Sequence, residues 1–121
     1  MHSEQKVSQM ILDVAAQFIE MVGSEEERQT QLDIACAAWN LSILPKNKRE
    51  KEYKKYVNKA KKRLKNAELI KYFEEDLNGL IKAKVDLFPN EIKPIVSAKI
   101  ENFSSDKYRV TASFARVNRR S

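Results

Sequence analysis

Along residues 1–87 the apolar positions recur at intervals of three and four, and beyond residue 95 they alternate with polar ones. The first spacing belongs to helices that bury one face and the second to strands. A first helix is predicted over about 4–22, with Val7, Met10, Ile11, Val14, Phe18, Met21 and Val22 on one stripe and Lys6, Gln9, Asp13, Gln17 and Glu20 outside it. The second, 24–44, holds the densest run of apolar and small residues, with the single Trp and the single Cys. Leu32, Ala35, Cys36, Trp39 and Ile43 share one face; Ile34, Ala38 and Leu41 lie nearly opposite, leaving a narrow polar strip at Asp33 and Asn40. A helix apolar on almost every side is one that others surround. The fold is therefore expected to be organised around Trp39, with Trp39 and Cys36 buried.

Both ends of this second helix carry signals. Ser24 and Glu27 have the spacing of a capping box, and Glu25, Glu26 and Glu27 set negative charge on the positive end of the helix dipole. Those two roles account for the three carboxylates without a metal. Pro45 is expected to stop the helix, and Asn47 to cap a third over 48–65 with the narrow stripe Tyr53, Tyr56, Val57, Ala60 and Leu64. A fourth helix, 67–87, places Leu69, Ile70, Phe73, Leu77, Leu80, Ile81 and Val85 inward, and Gly79 suits a close approach. Phe73 falls nine residues beyond Leu64, about half a turn out of phase, so helices three and four are read as separate.

Phe88-Pro89-Asn90 ends the helical pattern. Segments 95–103 and 108–117 then alternate: Val96, Ala98 and Ile100 against Ser97, Lys99 and Glu101, and Tyr108, Val110, Ala112 and Phe114 against Arg109, Thr111 and Ser113. With Ser104, Ser105 and Asp106 between them they predict a β-hairpin, followed by a frayed basic tail from Asn118. The expected architecture is a single helix-dominated α+β domain over 1–121, four helices and a C-terminal hairpin. Two glycines and three prolines in 121 residues agree with a mostly helical chain.

Composition narrows the chemistry. His2 is the only histidine and lies at the terminus, and there are too few glycines for a phosphate-cradling loop. Ser-His-Asp and Cys-His arrangements thus lack a base. Cys36 between two alanines fits packing better than nucleophilic catalysis, and the adjacent Glu74, Glu75 and Asp76 diverge around a helix and read as a solvated face. We expect no catalytic residue, no metal and no cofactor. One cysteine fits a reducing compartment. Asp13, Gln17 and Glu20 interrupt the apolar run that a secretory signal requires, and no segment reaches the length of a membrane span, so a soluble cytoplasmic protein is expected.

Charge changes the picture most. Residues 1–45 carry 2 Lys/Arg against 7 Asp/Glu, whereas residues 46–65 carry 11 against 2, within a net charge of +6. Lys48, Lys51, Lys55, Lys59 and Lys62 form one face of the third helix, a candidate binding face for an acidic protein or for nucleic acid. Asn40 and Ser42, beside Trp39, are candidates for lining a pocket. The leading expectation is a small non-enzymatic protein-binding or assembly module; the alternative is nucleic-acid binding through helix 48–65. Two strands also leave two open edges, so a homodimer through hairpin 95–117 is expected.

The segment ACAAWNLSILP, Ala35 to Pro45, followed by Lys48 and Arg49, resembles one found in small uncharacterised bacterial proteins. There an Ala/Cys-rich helix with Trp-Asn ends at Leu-Pro before a charged helix. The resemblance implies a bacterial cytoplasmic origin and supplies no functional residues.

Overall fold

A computed structural model describes residues 4–104 and 107–115. The frayed tail, the end of the second predicted strand, the Ser105-Asp106 turn and His2 lie outside the described residues. Four helices, α1 (Glu4–Glu20), α2 (Glu25–Ser42), α3 (Lys46–Arg63) and α4 (Ala67–Leu87), precede the antiparallel strands β1 (Ile95–Ser104) and β2 (Lys107–Phe114). This is the expected helix-dominated α+β architecture. No helix among the described residues is long and apolar enough to cross a membrane.

Trp39 has no exposed surface, and neither do Ile11, Ala15, Ile19, Leu32, Ala35, Ala38, Leu77 and Leu80. The capping box of α2 forms as predicted: the Glu27 backbone N–H donates to Ser24 Oγ (3.1 Å) and the Ser24 N–H to Glu27 Oε1 (3.3 Å). The break between α3 and α4 is also present, with Asn66 Oδ1 accepting from the N–H groups of Glu68 and Leu69. Gly79 faces α1, where an added Cβ would stand 3.3 Å from Phe18 Cζ, so the predicted close approach is there.

Several details depart from the pattern. α1 ends at Glu20, so Met21 leaves the stripe and is 72% exposed, while Ile19, absent from it, is fully buried. α2 stops at Ser42 rather than 44; Pro45, with φ −57°, then forms the N-cap of α3. Asn47 does not cap: its Oδ1 accepts only from the next residue's N–H. Pro45 supplies a helical φ already, so α3 starts before Asn47 can serve. On α4, Leu69 and Val85 are exposed and Lys84 is buried in their stead. In β1 the pairing shifts between Ile95 and Ser97, so Ile95 is buried and Val96 turns outward. A bulge of this kind inverts the alternation that a strand pattern assumes.

The hairpin is fastened to the helices by side chains reaching its backbone. Asn40 Nδ2 donates to Ile95 O (2.9 Å) and Asn40 Oδ1 accepts from the Ile95 N–H (2.8 Å). Gln29, three turns earlier on the same face of α2, donates to Ala98 O and accepts from the Ile100 N–H. From α1, Ser8 Oγ accepts from the Ala112 N–H. Gln29 and Asn40 of α2 thus occupy backbone groups of Ile95, Ala98 and Ile100 along the β1 edge, one of the two edges on which the homodimer expectation rests.

Candidate functional site

The predicted lysine face is intact and open to solvent. Lys48, Lys51, Lys55, Lys59 and Lys62 are all exposed along α3, at spacings of three and four residues. Among the described residues, only Lys55 of the five has an ion-pair partner, Glu52 at 3.6 Å, with both side chains largely solvated. Such a pair stabilises little, and like charges at these spacings destabilise a helix by a few tenths of a kcal/mol each. The start of α3 compounds this, having no side-chain cap and no acidic residue in its first turn. The helix is held by its apolar side, where Val57 is buried and the Tyr56 ring packs on Phe73 at 5.6 Å between centroids. Tyr53 and Tyr56 are thus part of the packing rather than presented for base stacking.

Two hollows flank this row. The first, about 670 Å³, lies where α3 meets the end of α2. Its floor is apolar, from Leu41, Ile43, Leu44, Tyr56 and Pro94, and its polar side holds Lys48, Lys51 and Glu52. The second, about 560 Å³, continues along α3 past Lys55, Lys59 and Lys62. Both include Glu52 and Tyr56, so the two hollows adjoin at these residues, and together they are called the trough.

Of the two polar candidates on α2, Asn40 lines the first hollow, but both its amide groups are engaged by Ile95. Ser42 is not among the lining residues; it is buried, donating to Trp39 O at 2.6 Å. Arg49 completes the end of α2 by donating from Nη2 to the carbonyls of Ser42 and Leu44.

Other titratable groups serve packing. Lys84 is only 2% exposed, donates from Nζ to Glu91 O (2.6 Å) and lies 5.1 Å from the centre of the Trp39 ring. Burial lowers its pKa, with Glu91 acting in the opposite direction. Sequence reasoning missed it because Lys84 looks like a solvated position one turn beyond Leu80; its four-carbon stem lets the cation end under loop 88–94. Asp76 is shifted upward by burial and then by Glu75. Among the described residues no group of three or more His, Cys, Asp or Glu side chains could hold a metal ion.

Cys36 is half-buried rather than fully enclosed. Burial, then the nearby Asp33, still pushes its thiol up to about 12 from 9.0. At pH 8 the thiolate fraction falls by roughly a thousandfold, so maleimide or iodoacetamide labelling should slow by that order relative to the chain in urea. Labelling at the unfolded rate would contradict this environment. Since the folded thiol titrates above the unfolded one, its contribution to stability is complete below pH 9 and is lost between pH 9 and about 12.

Comparison of the chain with protein-family models, with curated proteins and with solved structures finds no match.

Proposed function

We propose that this chain is a non-enzymatic protein-binding module whose docking face is the trough between α2 and α3. One observation carries the reading: an exposed row of five lysines runs beside a hollow with an apolar floor. The row repels itself and receives little compensation from within the chain, so an anionic ligand relieves a cost that the free protein bears. The apolar floor adds a second source of affinity, the removal of the half-buried Ile43, Leu44 and Tyr56 surface from water. The same row gives nucleic acid a second reading, because evenly spaced exposed lysines neutralise phosphates in a salt-dependent way. That reading leaves the apolar hollow without a role.

Selection from a random displayed-peptide library against the folded chain tests the proposal. Enriched peptides should bind with affinities that Lys48→Glu with Lys51→Glu reduces at least tenfold, while the circular dichroism of the protein is unchanged. No enriched ligand, or ligands indifferent to these reversals, would remove the trough as a docking face.

A further inference from the structure

We infer that the trough receives an acidic amphipathic helix of a partner protein, its carboxylates along the lysine row and its apolar side chains over Ile43, Leu44 and Pro94. This rests on the docking reading above and specifies the form of the partner. Three features select a helix with that pattern.

The first is periodicity. Lys48, Lys51, Lys55, Lys59 and Lys62 repeat at three and four residues, the spacing at which one face of a second helix presents its own side chains. From Lys48 to Lys62 the row spans about 21 Å, which a partner helix of about 15 residues covers. The second is polarity across the first hollow. Lys48 and Lys51 line one side of it, and Ile43, Leu44 and Pro94 line the rest. An amphipathic helix can lay an apolar stripe over the latter and carboxylates along the former. A phosphate backbone would have to desolvate charge against the apolar part.

The third feature is Glu52, which lies in both hollows beside Lys55. A uniformly anionic ligand meets a like charge at that point. A helix with one Lys or Arg among its carboxylates instead gains an ion pair there, and that pair fixes register and direction.

The probe is a fluorescein-labelled 18-residue synthetic helix with glutamates on one face, leucines beside them and one lysine, compared with a scrambled peptide of the same composition. Anisotropy titration of the full chain should give at least tenfold tighter binding for the ordered peptide. Lys51→Glu with Lys55→Glu should remove that preference. Lys54→Glu with Lys61→Glu should change it less than threefold, because these lysines face the hollows on the α4 side of α3. Glu52→Lys should weaken the peptide bearing lysine and strengthen its all-glutamate version. Equal binding of the scrambled peptide, equal sensitivity to the Lys54 and Lys61 reversals, or tighter binding of a 20-base-pair DNA duplex that displaces the peptide would overturn the inference. A concentration-dependent dimer dispersed by Lys51→Glu with Lys55→Glu would also overturn it, by assigning the trough to a second copy. Should the peptide library yield trough ligands lacking this pattern, the helical partner is wrong and the docking face stands.

Discussion

Trp39→Ala should cost about 3–5 kcal/mol of stability, the range for removing a large buried aromatic side chain. The indole is fully enclosed, so its removal leaves a cavity in the core. Its ring lies 5.8 Å from Phe88 and 6.0 Å from Phe114, tilted against each, so α2, the end of α4 and β2 all lose a partner together. Two further interactions go with it. Nε1 donates to Lys93 O (2.9 Å), and the buried Lys84 cation rests near the ring face. Trp39→Phe separates these contributions. It keeps an aromatic body and loses the donor, so its cost should be clearly smaller, about 1–3 kcal/mol for the core volume lost and a part-buried Lys93 carbonyl left without its partner. Urea unfolding followed by circular dichroism measures both. A loss below about 1.5 kcal/mol for the alanine variant, or native Trp39 emission at the wavelength of solvated indole, would displace this residue from the centre of the fold.

The same region shows where sequence reasoning reaches and where it stops. Trp39, Leu32, Ala35 and Ala38 were legible because a helix apolar on nearly every side has only one environment in which to fold. Lys84 was not, since a residue's type does not reveal that its long stem leads to a carbonyl in a loop seven residues on. The bulge at Val96 was illegible for a related reason. Alternation assumes unbroken pairing, and the register shift is set by how Asn40 grips Ile95 from another element. For the trough, the lysine row could be read directly from spacing. Its apolar half could not, because Leu41, Leu44, Tyr56 and Pro94 meet only once α2, α3 and the strand entry are packed. Asn40 was singled out as a polar residue on a crowded helix, which was informative, but its amide serves the backbone of β1.

That amide carries the second large effect expected. Asn40→Ala should destabilise the chain by about 2–4 kcal/mol, from two backbone groups each costing about 1–3 kcal/mol when left unpaired away from water. Ile95 is 3% exposed, so its N–H and C=O have little solvent to turn to as a substitute. Gln29→Ala removes the analogous pair of bonds to Ala98 and Ile100, likewise from a half-buried side chain, and should cost a similar amount. Asn40→Asp provides the sharper test. A carboxylate can still accept from the Ile95 N–H, but its other oxygen faces Ile95 O with no proton to donate. Only the protonated acid restores both bonds, so the introduced carboxyl should titrate above its ordinary range in the folded protein. Its contribution is then fully present below the unfolded carboxyl pKa and lost as pH rises through the folded one. The gap in stability between this variant and the native chain should therefore widen from pH 4 to pH 7, whereas the gap for Asn40→Ala stays nearly constant. Parallel pH profiles for the two variants would mean that Asn40 contributes through packing rather than through its clasp on Ile95. A loss of less than 1 kcal/mol in the alanine variant would mean that the hairpin is held by its apolar face alone.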